Sequence, residues 1–388
     1  MRKKSLILCA LIGCALVLSC EKKENTTPDK PDEPVVPVEP EVPKTAALVL
    51  VGQEAVEGKG YYNATVWING QKFLLSEGEH DAFCNAVYTY KDSVFIAGCE
   101  AVGELIDDGY YDPYNANNGV IYSFKIGEES NFRRTVHSDV KGNSTASDIA
   151  YSNGNIYTSG FDSPGYDRRA LYWKNDEKIL LTDGSTDALA YCIAADGDDV
   201  YVGGYIQSAD FKKEGAAVIW KNGVAQKLTS NGVLAKVNKI QVENGHIYAA
   251  GAYKNVADGE SWQGALWIDG ELTLFTEPAS VEIGGLYVKD GKWIINGNMS
   301  TADSRISAFN WYSDGTSEDI TPDMALCQGL GVLVHENDTY NLGAFTDIDY
   351  TTFETINKGY LWKNKETVDV DTSAPNDFTL WDLAFAIY

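Results

Sequence analysis

The chain has 388 residues, with 56 acidic against 31 basic side chains and a formal net charge of −25. A surface this negative repels phosphate backbones and anionic head groups, which speaks against nucleic acid as a partner and for a soluble, extracytoplasmic domain. Trp and Tyr are frequent, Met occurs only 3 times, and helix-forming patterns are almost absent.

The N-terminus opens with basic residues, Arg2 to Lys4, followed by an apolar run from Leu6 to Leu18. That run is too short to span a bilayer of about 30 Å, so residues 1–19 read as a secretory signal. Val17-Leu18-Ser19-Cys20 resembles the lipobox of bacterial lipoproteins. The resemblance implies that Cys20 is lipidated and becomes the mature N-terminus, anchoring the protein to a membrane through its lipid. Leu11-Ile12-Gly13-Cys14 is a second, shorter-run alternative. Glu21 in place of Asp directly after the Cys implies, on the same resemblance, an outer-membrane address, with the periplasmic or cell-surface side left open.

Residues 20–44 change character, with proline at 28, 31, 34, 37, 40 and 43. A period of three matches the three residues per turn of polyproline II, so this stretch is expected to be a semi-rigid stalk of on the order of 70 Å. From 45 to 388 the sequence repeats. A Gly closing a short apolar strand recurs at 52, 98, 160, 204, 251, 297 and 343, with spacings of 46, 62, 44, 47, 46 and 46. A second landmark follows each Gly: ATVWING from Ala64, ALYWKND from Ala170, AVIWKNG from Ala217, ALWIDG from Ala265 and GYLWKNK from Gly359, with degenerate copies from Gly119 and Ile306.

The stretch from Ala190 to Thr229 shows the unit clearly, as four strands that we call A to D. Period-2 alternation gives strands at 190–195, 200–205, 216–221 and 225–229, the last two joined by the hairpin-favouring Asn222-Gly223. Such a unit cannot bury both faces alone, and radial stacking is the solution that propellers adopt. The expected fold is all-β, a seven-bladed β-propeller of four-stranded blades. An open solenoid or a β-sandwich is the competing architecture. One further step from Gly343 falls at about 389, so Leu380 to Tyr388 reads as a strand A without its B, and Ala46 to Gln53 as a strand B without its A. The ring is therefore expected to close by pairing the C-terminal strand with the N-terminal one.

Length variation falls mainly between strands B and C, and loops gathered on one face of a regular scaffold are where binding usually resides. Cys84 and Cys99 flank a turn near Lys91-Asp92 at equal distances, which makes them a candidate cross-strand disulfide; Cys192 and Cys327 read as core residues. His80 and His137 fall in D–A loops. No metal-ligand spacing, nucleophile elbow, Walker motif or dinucleotide fingerprint occurs, so no metal, cofactor or recognisable catalytic set is expected.

Columns that vary between repeats serve a ligand better than columns that recur. Twelve residues before each landmark Gly, and in the closing strand, stand Ala86, Asp148, Cys192, Lys239, Gly285, Gly331 and Asp382. One place earlier stand Asn85, Ser147, Tyr191, Asn238, Gly284, Leu330 and Trp381. A channel mouth carrying Asn85, Asp148, Tyr191, Asn238, Lys239, Trp381 and Asp382 is polar, aromatic and asymmetric, as a small-ligand pocket requires. Tyr110, Tyr111, Tyr114, Trp262 and Tyr350 add aromatic surface on the loop face, suited to sugar rings or to a protein partner.

Lipobox, proline-rich stalk and repeats of Trp-x-Asn-Gly with Tyr-x-x-Gly together resemble uncharacterised seven-bladed propeller lipoproteins of Bacteroidetes-type bacteria. The resemblance names no reaction. The expected function is recognition of a glycan or an envelope protein on the loop face. The alternatives are a polysaccharide hydrolase or lyase using Asp148 and Asp382 as its carboxylate pair, and a structural envelope protein.

Overall fold

A computed structural model describes residues 45–76, 79–106, 114–137, 143–164, 167–207, 214–230, 232–256, 261–275, 281–300, 305–324, 326–349, 354–370 and 378–388. The signal segment, Cys20 and the stalk lie outside the described residues. Lys44–Tyr388 forms one compact unit.

That unit is a succession of four-stranded antiparallel meanders. The first to be completed in sequence are β4 (Ala82–Tyr90), β5 (Ser93–Ile106), β6 (Tyr114–Lys125) and β7 (Arg133–His137). Next come β8 (Asn143–Ser152), β9 (Asn155–Ser163), β10 (Arg169–Lys174) and β11 (Glu177–Leu180). The central repeat supplies β12 (Ala188–Asp196), β13 (Asp199–Gln207), β14 (Gly215–Lys221) and β15 (Val224–Lys227). It is joined through the single parallel pair Gly215↔Leu234 to β16 (Val233–Glu243), β17 (His246–Asn255), β18 (Gln263–Ile268) and β19 (Glu271–Phe275). Then follow β20 (Val281–Lys289), β21 (Lys292–Ser300), β22 (Ile306–Tyr312) and β23 (Ser317–Asp319), and β24 (Cys327–His335), β25 (Asp338–Asp349), β26 (Glu354–Lys363) and β27 (Glu366–Val368).

The remaining meander is assembled from both ends of the unit. The last strand, β28 (Phe378–Ile387), lies against β1 (Ala46–Ala55), which continues into β2 (Tyr62–Ile68) and β3 (Gln71–Leu74). The β1–β28 ladder runs from Ala46↔Ile387 to Glu54↔Phe378 and contains Leu48↔Phe385 and Val49↔Ala384. The innermost strands meet as neighbours: β28 with β4, β4 with β8, β8 with β12, β12 with β16, β16 with β20, β20 with β24, and β24 with β28. These are the repeat-like blades of a β-propeller.

Because successive side chains leave a strand on opposite faces, each blade contributes to two cores. On β14, Val218 and Trp220 pack with Tyr157, Tyr172 and Val202 on one side. Ala217 and Ile219 pack with Val237, Ala249 and Trp267 on the other. The Trp-x-Asn-Gly landmark follows from this arrangement. Trp67, Trp220 and Trp267 are completely buried between blades. The Asn two residues later turns the chain in the left-handed region, at φ 51° for Asn222, while its Oδ1 accepts the N–H of Val200 at 2.8 Å. Asn69, Asn175 and Asn364 repeat the turn and the bond, to Leu48, Ile156 and Thr339.

Every innermost strand carries a one-residue bulge, and the bulged residues are Asn85, Ser147, Tyr191, Asn238, Gly284, Leu330 and Trp381. The bulge presses the carbonyl two residues upstream onto the neighbouring strand. A Cβ built on Gly204 would lie 1.9 Å from the carbonyl oxygen of Leu189, and one on Gly251 would lie 2.0 Å from that of Lys236. Gly52, Gly98, Gly160, Gly297 and Gly343 meet the equivalent carbonyls at 1.9 to 2.3 Å. The periodic Gly is thus a steric requirement of the bulge.

The same bulge overturns the expected Cys84–Cys99 disulfide. From the turn, Tyr90↔Ser93 through Ala86↔Ala97 keep an unbroken register; the bulge at Asn85 then shifts it, giving Cys84↔Gly98 and Phe83↔Cys99. Displaced by one position, the two thiols leave opposite faces of the blade. Both are buried and free. Burial raises the Cys84 thiol, and pushes Cys99 up to about 12.

Replacing Gly204 by Ala is expected to destabilise the protein by about 3 kcal/mol or more, since backbone must move. Gly223→Ala, where φ is +83° with nothing within 4 Å of the new Cβ, is expected to cost only about 1–2 kcal/mol. Equilibrium denaturation of the two variants checks the difference.

Candidate functional site

The two residue columns singled out in the sequence are adjacent in the chain but serve different places. The earlier column is the bulge column, and several of its side chains tie blades together. Asn85 Nδ2 donates to the carbonyl of Ala146 at 2.9 Å, and Asn238 Nδ2 to that of Ile283 at 3.0 Å, each in the next innermost strand. Trp381, 37% exposed, donates from Nε1 to Gln53 Oε1 at 3.1 Å. Tyr191 enters a pocket.

That pocket, of about 270 Å³, lies between the β12–β15 and β16–β19 blades at the end bearing the B–C loops. Tyr191, Tyr205 and Trp262 form its aromatic walls, with Gln207, Glu214 and Lys236 as polar groups. The Tyr191 and Tyr205 rings stack with centroids 6.1 Å apart at 19°, and Lys236 Nζ lies 5.9 Å from the Tyr191 ring. Tyr205 is held from behind. Its hydroxyl donates to Asp187 Oδ2, and Arg168 grips the same carboxylate through Nε at 2.8 Å and Nη2 at 2.6 Å. Burial works to raise the Asp187 carboxyl, but the bonds from Arg168 and Tyr205 prevail and hold it low. Burial, then the bond to Asp187, raise the Tyr205 phenol, so it stays a neutral donor. Such an Arg–carboxylate fork fixes geometry as well as charge.

The later column supplies Asp148, Lys239 and Asp382 to a cavity of about 440 Å³. Its lining is drawn from β4, β8, β12, β16, β20, β24 and β28, so it lies among the innermost strands. Among the described residues the lining extends from the level of Asp148 toward the A–B turns, reaching Tyr88, Tyr151 and Glu243, and includes no B–C loop residue. Asp148 accepts the Ile149 N–H through Oδ1 at 2.8 Å and the Ile193 N–H of the next blade through Oδ2 at 2.9 Å. Asp382 Oδ2 accepts the Val87 N–H at 2.9 Å. Burial, opposed by Lys239 and reinforced by Asp382, pushes the Asp148 carboxyl up to about 6. Burial lowers the Lys239 ammonium, but Asp382 and Asp148 outweigh it and the net direction is upward.

The structure therefore brings Tyr191 and Trp262 to one site and Asp148, Lys239 and Asp382 to another. Tyr114 begins β6, and Tyr110, Tyr111 and Tyr350 lie outside the described residues. His137 ends β7 rather than lying in a loop; it is buried edge-on to Trp173 with ring centroids 5.2 Å apart, and burial lowers its imidazole. Sequence reasoning missed Tyr205 and Lys236. Tyr205 follows a landmark Gly, at a position occupied elsewhere by Gln53, Cys99, Phe161 and Ala252, and that variation was the available signal.

No family model and no curated protein matches this chain. Among solved structures it is similar to a puromycin hydrolase, at 8% identity over 85% of this chain and 52% of that one, with a TM-score of 0.52. It is also similar to the β-propeller domain of the trilobed protease from Pyrococcus furiosus, at 12% identity over 84% of this chain and 95% of that one, with a TM-score of 0.47. Trypanosoma rangeli sialidase matches at 7% identity over 86% of this chain and 56% of that one, with a TM-score of 0.45. The chain spans about half the length of the puromycin hydrolase. At these identities the likeness is one of fold, the β-propeller.

Asp148 carries a pH signature. With its folded pKa raised to about 6 above an unfolded value of 3.8, the folded state binds more protons between those values, and its contribution to stability falls as pH rises through that window. Asp148→Asn removes the effect. Relative to wild type, the variant is expected to gain up to about 3 kcal/mol on going from pH 4 to pH 7, read from denaturation curves at both.

Proposed function

We propose that this protein is a lipid-anchored, extracytoplasmic binding protein that recognises a glycan in the loop-face pocket of a closed, seven-bladed propeller. The closed ring is supported by the β1–β28 ladder together with the unbroken circuit of neighbouring innermost strands. The anchored state rests on the lipobox resemblance at Cys20 and the proline period of the stalk, and carries with it an outer-membrane address of the kind found in Bacteroidetes-type lipoproteins.

The observation that carries the binding reading is the aromatic wall of Tyr191, Tyr205 and Trp262 beside Gln207, Glu214 and Lys236. A sugar ring offers an apolar face to stack and a rim of hydroxyls to bond, and this pocket presents both kinds of surface. The Arg168–Asp187 fork behind Tyr205 holds the platform before a ligand arrives, which lowers the ordering cost of binding. An envelope protein presenting an aromatic or polar loop is the other partner that such a surface accommodates.

A hydrolytic reading is favoured by one observation, the raised Asp148 carboxyl within the influence of Asp382. Both carboxylates are tied to backbone amides of adjoining blades and line the central cavity rather than the loop face.

Glycan-array binding followed by calorimetry on the best oligosaccharide tests the proposal. Trp262→Ala and Tyr191→Ala are expected to weaken binding tenfold or more, about 1.4 kcal/mol, with Asp382→Asn near wild type. An empty array, or binding untouched by both aromatic replacements, removes the glycan reading. Turnover of a polysaccharide that is lost in Asp148→Asn would replace it with the hydrolytic one.

A further inference from the structure

The central cavity is unused by the loop-face pocket, yet it is more than a gap left by packing. Its walls are the inner edges of the innermost strands and present more polar than apolar surface, because side chains such as Ile149, Ile193, Ile240 and Leu286 pack into the cores between blades. Into this space project two carboxylates and one ammonium from alternate blades of the circuit: Asp382 on β28, Asp148 on β8 and Lys239 on β16. Toward the A–B turns the lining ends in Tyr88, Tyr151, Gln241 and Glu243.

The interblade bonds do not exhaust these charged groups. Asp382 uses only Oδ2 on the Val87 amide, and its Oδ1 has no hydrogen-bond partner among the described residues. Lys239 makes no direct ion pair among the described residues and interacts with the two carboxylates through space. An ammonium has three donors and an ionised carboxylate about four lone-pair sites, so bonding capacity of both signs faces the cavity. Away from bulk water, unpaired charge is costly and paired charge is favoured.

We propose that the cavity is a second binding site, taking a small zwitterion of the α-amino-acid class. The ligand's carboxylate pairs with Lys239, its ammonium with Asp382 Oδ1 and the Asp148 carboxylate, and its side chain lies toward Tyr88 and Tyr151. The volume of about 440 Å³ falls within the range of small-molecule pockets, on the order of 300–1,000 Å³. A simple amine leaves Lys239 without a partner, and a simple carboxylate leaves both aspartates without one. Only a ligand with both charges satisfies all three groups.

Isothermal titration calorimetry on the full protein, with L-phenylalanine, L-leucine, phenethylamine and 3-phenylpropanoate as probes, tests this. Phenylalanine or leucine is expected to bind at least about tenfold more tightly than either singly charged analogue. Lys239→Met is expected to weaken the amino acid about tenfold while strengthening phenethylamine, a reversal that a general loss of structure does not produce. Asp382→Asn keeps an oxygen for the Val87 amide and is expected to weaken the amino acid about tenfold; it carries the test should Lys239→Met fail to fold. Trp262→Ala should leave amino-acid binding unchanged, which separates this site from the loop-face pocket. No heat of binding up to about 10 mM, phenethylamine binding as tightly as phenylalanine, or wild-type affinity in both charge variants would overturn the proposal.

Discussion

The architecture depends on one close contact repeated in every blade: a backbone carbonyl lodged against the Cα of a glycine in the adjoining strand. The bulge that creates this contact turns the innermost strand more sharply than a regular ladder allows. A side chain of any size at the glycine would push the two strands apart, because the atom it meets belongs to the backbone. The glycine, the bulge and the close packing of the innermost strands are therefore one feature seen from three sides.

The bulge also sorts the chemistry. A regular strand sends neighbouring side chains to opposite faces, and an extra residue changes which face each one reaches. The bulged position faces the blade junction and the loop end, where Asn85 and Asn238 fasten adjoining carbonyls and Tyr191 joins an aromatic wall. The next position faces the enclosed cavity, where Asp148 and Asp382 each reach across to an amide of the following blade. Two sites of different character thus arise from one local irregularity.

This explains which parts of the molecule the sequence disclosed. Period, strand order and the Asn-Gly turns were legible because each is written in residues that few others replace: glycine for the close approach, asparagine, or aspartate at 269, for a left-handed turn that also accepts an amide. The register beyond the bulge was not legible. Counting outward from the turn at Lys91-Asp92 presumes an unbroken ladder, and Asn85 interrupts it, so the cysteines that arithmetic placed face to face point away from each other. Asp148, Lys239 and Asp382 could be grouped from their shared column, but not assigned an end of the cavity. Tyr205 and its Arg168–Asp187 support depend on contacts across loops of irregular length, for which periodicity offers no guide.

The pairing of β28 with β1 joins segments separated by almost the whole domain. Synthesis delivers β1 first and its partner last, so for most of the time the polypeptide is being made, one flank of that sheet lacks its mate. Bringing such distant segments together is an entropically slow step, and an unmated flank invites association with other chains. The sheet that holds β1 is consequently complete only once Phe378–Ile387 has been made, and a nascent chain released before Phe378 leaves that flank of β1 open to association with other chains.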